Sequence, residues 1–127
     1  MVKKKFKKFD CIFNAGTFGD SAYMIDFGKV GIIAETNKND KRKLLATLQK
    51  DDIFGEMGLI DNKVRTATAI ALKDTQVSVI SKKTFDYLIR HDPFALRPLV
   101  KVLSHRLRNT TNLLQEYSRK SFLNINH

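Results

Sequence analysis

Residues 54–69, Phe-Gly-Glu-Met-Gly-Leu-Ile-Asp-Asn-Lys-Val-Arg-Thr-Ala-Thr-Ala, hold the densest grouping of chemically useful side chains in the chain. Gly55 and Gly58 flank the carboxylate of Glu56, a short apolar turn follows, and Arg65 opens a strand. Glycines let a backbone come close to a ligand with its amides available as donors, and amides at the start of a helical turn favour an anion. The planar fork of an arginine suits a phosphate. A carboxylate repels phosphate but accepts hydrogen bonds from sugar hydroxyls. The segment therefore asks for a molecule with phosphate at one edge and a ribose hydroxyl at the other. Ala67, Ala69 and Ala71 form a small-residue face on the following strand, with room for a cavity beside it. The competing reading is a surface ion pair between Glu56 and Arg65 next to a tight turn.

No other part of the chain assembles a reactive set. His91, His105 and His127 share no metal-ligand spacing with carboxylates or with Cys11. No serine sits in a nucleophile elbow, and neither a Walker loop nor a dinucleotide fingerprint is present. A binding protein without enzymatic activity and without a metal is expected. The 127 residues suit one domain, and 43% hydrophobic with 28% charged residues is a globular balance. The single cysteine excludes an intrachain disulfide and points to a reducing, cytoplasmic setting; Cys11 itself reads as a small buried hydrophobe. No run approaches the roughly 18 apolar residues of a membrane span, and no long apolar stretch follows the basic start, as a signal peptide would need.

Formal charge is +10, gathered in three clusters: Lys3 to Lys8, Lys38 to Lys43, and Arg97 to Lys120. Such a balance fits solvated patches or an anionic partner, whether nucleic acid, a membrane surface or a phosphate ligand. The nucleic-acid reading lacks a recognisable reading module. The chain has no zinc-ligand spacing, no aromatic RNA-stacking motif and no helix-turn-helix.

The elements that must position residues 54–69 change type once. Strands are expected at about 9–13, 22–26, 29–35, 42–49, 64–72 and 75–80, with turns at Phe27-Gly28 and Lys73-Asp74 and a polar hairpin loop over 36–40. Short, evenly spaced strands argue for a sandwich or barrel-like architecture. From Ser81, a good N-cap, the period becomes helical, with Phe85, Leu88 and Ile89 on one face. Asp92-Pro93 ends that helix and starts another, which begins or bends at Pro98 and runs to about Tyr117. Val100, Leu103, Leu107, Thr110, Leu114 and Tyr117 recur on a heptad seam, with Leu99, Val102 and Leu113 forming a second stripe beside it.

The Phe54-Gly55-Glu56 run, the apolar turn through Met57 and Gly58, and the Arg65-Thr66-Ala67 run together resemble the phosphate-binding cassette of the cyclic nucleotide-binding domain family. Residues 14–25 and Gly28-Lys29-Val30 resemble the family's early glycine-marked strands, and the likeness spans about residues 9–118. It implies an α+β fold: an antiparallel, jelly-roll-like β-roll of about eight strands (about 9–80) followed by two C-terminal helices (about 82–91 and 94–118), as one domain over 1–127. It implies a receptor for cyclic AMP or cyclic GMP. Phe54, Gly55, Met57 and Gly58 then belong to the cassette, with the Gly55 and Gly58 amides near the ligand. Glu56 accepts from the ribose 2′-hydroxyl, Arg65 pairs with the cyclic phosphate, and Thr66 touches phosphate or base. Residues 105–111 resemble the family's base-contacting helix, which places Arg106 over the base and makes Thr110 and Thr111 base contacts. A homodimer through residues 99–117 and an unnamed downstream protein are the expected partners. The family's usual helix before the first strand and an output domain after the long helix have no counterpart here, so a stand-alone module or an excised regulatory piece is expected. Two alternatives stay open: the same fold with an unused pocket acting as a protein-interaction module, and a basic nucleic-acid binder.

Overall fold

The computed structural model describes residues 1–35, 42–60 and 63–125. The expected hairpin loop over 36–40 lies outside the described residues. Eight strands form two antiparallel four-stranded sheets. They are β1 (Val2–Phe6), β2 (Cys11–Phe13), β3 (Ser21–Phe27), β4 (Lys29–Glu35), β5 (Arg42–Gln49), β6 (Ile53–Phe54), β7 (Thr68–Ala71) and β8 (Thr75–Ser81). One sheet has the order β1-β8-β3-β6 and the other β2-β7-β4-β5. This is the jelly-roll-like β-roll that the family resemblance implies, within the sandwich or barrel-like class that the strand spacing predicts.

Strand β3 shows how period-two alternation organises the interior. Tyr23 and Ile25 point between the sheets, where they meet Val30, Phe54, Ala69 and Val77. Ala22 and Met24 point the other way and pack with Ile53, Leu59 and Leu99 beneath the helices. Because both faces are covered, the strand reads as nearly continuous apolar sequence rather than as a clean alternation.

Two strands escape the sequence reading. The roll begins at Val2, earlier than the expected residue 9. Although β1 is mostly lysine, Phe6 packs on the core, and β8 supplies a partner over the full length, Val2 opposite Val79 to Phe6 opposite Thr75. β6 is only two residues long, below the reach of any periodicity. The expected strand over 64–72 shrinks to Thr68–Ala71. Residues upstream are diverted by backbone bonds, Arg65 N to Thr17 O at 2.8 Å and Gly16 N to Arg65 O at 2.7 Å. Cys11 is exposed, not buried. A register shift between Cys11 and Phe13 turns both Ile12 and Phe13 toward the core and leaves the cysteine outside.

One helical turn, α1 (Met57–Ile60), follows β6. Helix α2 (Lys82–His91) starts where expected, with the Ser81 hydroxyl accepting from Thr84 N at 3.2 Å. Pro93–Leu96 forms a 3₁₀ turn. The long helix α3 (Arg97–Ile125) places Pro98 in its first turn, where a missing N–H costs nothing. It runs past the expected end near residue 118. Leu99 is buried, with Val102 and Leu103 beside it on the roll; from residue 104 to 120 every residue is exposed. Among the described residues no helix is long and apolar enough to cross a membrane.

Candidate functional site

Arg65 lies at the centre of residues 54–69. It leaves the chain just before β7, and its side chain turns inward across the end of the roll, leaving the residue only 7% exposed. Nη1 donates to Gly55 O at 2.7 Å and Nη2 to Ser21 O at 2.8 Å. The guanidinium carbon sits 4.3 Å from the Phe13 ring centre and 5.9 Å from that of Tyr23, within cation–π range. Nε has no partner. Among the described residues no carboxylate stands within ion-pair distance of this guanidinium. A buried charge held only by neutral carbonyls and ring faces is incompletely compensated, so the position favours an incoming anion.

Three glycines make the space. Gly55 adopts φ +72°, a conformation that side chains rarely take, and presents its carbonyl to Arg65. A Cβ on Gly19 would run into the guanidinium. One on Gly58 would collide with the Gly19 carbonyl and approach Arg65 Nη1. The Gly58 amide, expected to face a ligand, donates to Gly55 O at 3.3 Å within the turn.

Glu56 is fully buried. Its Oε1 is in ion-pair contact with Arg106 Nη1, and its Oε2 has no hydrogen-bond partner. The competing reading, a surface pair between Glu56 and Arg65, fails: both are buried, and Glu56 pairs with α3 instead. Burial draws the Arg106 guanidinium below its ordinary value but leaves it charged, because an arginine starts so high.

Glu56, Gly58, Arg65, Thr66 and Arg106 line one open cavity of about 230 Å³. Met57 stands half-exposed at its edge, and Phe54 supports it from below, stacked on Tyr23 with ring centres 5.3 Å apart. Of the expected alanine face only Ala67 lines the cavity; Ala69 and Ala71 are core. Arg106, which the resemblance sets over the base, has its guanidinium against Glu56. Thr110 and Thr111 do not line the cavity. Thr110 is one turn beyond Arg106 on the same side of the helix, and the Thr111 hydroxyl donates to Leu107 O at 2.9 Å. Sequence reasoning did not assign Gly19, Phe13 or Lys63 to this site. Phe13 is turned inward by the register shift that leaves Cys11 outside, which the sequence does not reveal. Gly19 carries no distinguishing signal in the sequence, because its role depends on a contact with a residue 46 positions away.

Comparison with known proteins follows the same lines. The family model described as "Cyclic nucleotide-binding domain" matches residues 3–92. The chain is 34% identical over 97 residues to the cyclic AMP receptor protein of Thermus thermophilus, covering 76% of this chain and 44% of that one. It is 35% identical over 85 residues to human cGMP-dependent protein kinase 2, covering 66% of this chain and 11% of the kinase. The crystal structure of Thermus thermophilus catabolite activator protein superposes with a TM-score of 0.82 at 30% identity, over 92% of this chain and 55% of that one. The chain thus spans less than half the length of the first curated relative and about a tenth of the second.

Proposed function

The chain belongs to the cyclic nucleotide-binding domain family, and we propose that it is a cytoplasmic receptor module for a cyclic nucleotide, cyclic AMP first and cyclic GMP second, that catalyses no reaction. One observation carries this reading: Arg65 is a buried guanidinium with no carboxylate partner among the described residues and an unpartnered Nε, lining a cavity that the buried carboxylate of Glu56 also lines. A cyclic phosphate supplies the missing countercharge at Arg65. The ribose 2′-hydroxyl donates to Glu56, whose Oε2 stands without a partner. Thr66, exposed at the rim, reaches phosphate or base, while Phe54, Gly55, Met57 and Gly58 shape the wall.

The cavity of about 230 Å³ is smaller than the roughly 300–1,000 Å³ of pockets that enclose drug-sized ligands. A nucleotide that sinks fully into it displaces wall residues, and Arg106 is the one carried by α3. Movement there repositions the helix, bringing Thr110 and Thr111 toward the base as a lid. The change is a population shift limited by how differently the two helix positions bind ligand, and the helix carries it to a second copy of the chain or to a downstream protein.

Calorimetric titration with cyclic AMP, cyclic GMP and 5′-AMP tests the assignment. Saturable binding of at least one cyclic nucleotide, with 5′-AMP much weaker, is the expected result. The absence of any binding heat or protection by either cyclic nucleotide would overturn it.

A further inference from the structure

The end of the roll away from the cavity has its own chemistry. β3 runs from Ser21, whose carbonyl holds Arg65, to Phe27, a separation of roughly 20 Å at strand rise. At this far pole three turns meet. They are Lys7 to Asp10, Phe27 to Lys29 and Leu72 to Asp74, joined by Phe9 N to Ala71 O at 2.7 Å, Lys8 N to Asp74 Oδ1 at 3.0 Å and Lys29 N to Thr75 Oγ1 at 3.1 Å. Phe9 is 71% exposed and Phe27 50% exposed, although both are large apolar side chains. Phe9 also adopts φ +74°, which few side chains other than those of Asn, Asp and Gly do. The turn that holds it there is closed further by Lys7 N to Asp10 Oδ2 at 2.8 Å and Ala71 N to Asp10 O at 2.9 Å. The fold thus fixes an aromatic ring pointing into solvent, with the Lys8 ammonium 5.0 Å from its centre.

The lysines around these rings, Lys5, Lys7, Lys8, Lys29 and Lys73, make no ion pair among the described residues, although four aspartates, Asp10, Asp51, Asp52 and Asp74, stand at the same end. The nearby acids Asp10 and Asp74 accept from backbone amides instead of lysine side chains. Lys5, Lys7 and Phe27 share the lining of one open cleft of about 380 Å³. Asp51 and Asp52 reach the same end, tied to Ile25 through the backbone bonds Asp51 N to Ile25 O and Ile25 N to Asp52 O.

We propose that this pole, with Phe9 and Phe27 as apolar tips and Lys5, Lys7, Lys8, Lys29 and Lys73 around them, docks on an anionic lipid surface. The lysines sit on the same turns as the two rings, and each lysine near such a surface strengthens binding roughly fivefold, a gain that the aspartates of the same end reduce. Phenylalanine rings beside lysines with long stems are the composition that settles at a headgroup boundary, ring inward and ammonium at the phosphates. Nucleic acid fits less well. Its single-strand binders place aromatics along a groove that follows the backbone, whereas Phe9 crowns a projecting turn, and none of these five cations is the arginine that grips phosphates by a fork.

Flotation with phosphatidylcholine vesicles, with and without 30% phosphatidylserine (a composition of about that order gives a strongly negative surface), tests the proposal alongside a random DNA duplex. Expected is binding to the anionic vesicles only. Lys7→Gln/Lys8→Gln should weaken it roughly tenfold or more. Phe9→Asn, a residue that tolerates φ near +74°, should weaken it roughly threefold or more, with no loss of thermal stability by circular dichroism in either case. Phe27→Ser serves as the second aromatic variant. No vesicle binding, binding that the phenylalanine variants leave intact, or retention by DNA but not by vesicles each overturns the proposal.

Discussion

The Arg65 guanidinium makes two hydrogen bonds to carbonyls and lies over the Phe13 ring, yet these contacts leave its charge without a counter-ion and Nε without an acceptor. Stability and binding should therefore separate at this residue. Arg65→Ala removes the charged partner of the proposed phosphate, and a charge-assisted bond contributes on the order of 1.5–3 kcal/mol, so cyclic-nucleotide affinity should fall roughly tenfold or more in calorimetric titration while the melt shows a folded domain. An unchanged titration would remove Arg65 from the site. Gly19→Ala acts on the same guanidinium without touching its chemistry. The new methyl occupies the guanidinium's place, so this variant should also lose affinity. Normal affinity in Gly19→Ala would show that Arg65 does not need its present position. Glu56 reads the sugar in this scheme. A 2′-deoxy cyclic nucleotide should bind the wild type less well, and Glu56→Gln should narrow the gap, because a neutral amide accepts more weakly than a carboxylate. Equal affinity for both sugars in the wild type would refute that role.

At the scale of elements, legibility follows the length of the pattern. Strands of seven or eight residues such as β3, β4, β5 and β8 are long enough, between their turn signals, to be placed within a residue or two, and Ser81 and Pro93 mark the ends of α2 without ambiguity. β6 has two residues and no period. β1 reads as a basic tail because its lysines answer to partners distant in sequence. Lys3 Nζ lies 3.1 Å from Asp26 Oδ2 and 2.6 Å from Ser78 Oγ, and Ser78 Oγ lies 2.8 Å from Asp26 Oδ1. The cassette was readable because its residues are nearly contiguous. The pairing of Glu56 with Arg106 was not, because it depends on where a helix 50 residues later lands. The Lys3 cluster carries a pH signature. Burial pushes the Asp26 carboxyl up, but hydrogen bonds from Gln76, Ser78 and Lys3, together with the Lys3 charge, outweigh it and hold the group below its ordinary 3.8. A depressed carboxylate contributes stability above its unfolded value, and that contribution is lost as pH falls through the folded value. Asp26→Asn should accordingly be less stable than wild type at neutral pH, with the difference closing below about pH 4. A difference independent of pH in acid denaturation would sink the claim that β1 is held through an ionised Asp26.

At the scale of the whole molecule, α3 is out of proportion to the roll that anchors it. At about 1.5 Å per residue, only the stretch carrying Leu99, Val102 and Leu103 lies on the sheets. Val100, Leu107, Leu113, Leu114 and Tyr117 remain 60–72% exposed. The two apolar stripes of the sequence thus have different fates: part of one is buried within the monomer, and most of the heptad seam faces solvent. Exposed apolar stripes of this length are a common feature of interfaces, and the spacing of this one, three and four residues, is that of a two-helix seam. The positive charges of the helix weigh against pairing, but two are already engaged, Arg106 by Glu56 and Lys120 by Glu116 at 3.3 Å. The proposed homodimer should accordingly form, weakly without ligand and more strongly when cyclic AMP alters the contact at Arg106. Sedimentation at several concentrations, with and without cyclic AMP, should show a monomer–dimer equilibrium. Leu107→Lys, at a position 68% exposed, should abolish it without lowering the melting temperature. A monomer under every condition would leave α3 as an intramolecular lid, and a dimer indifferent to Leu107→Lys would move the interface to another face.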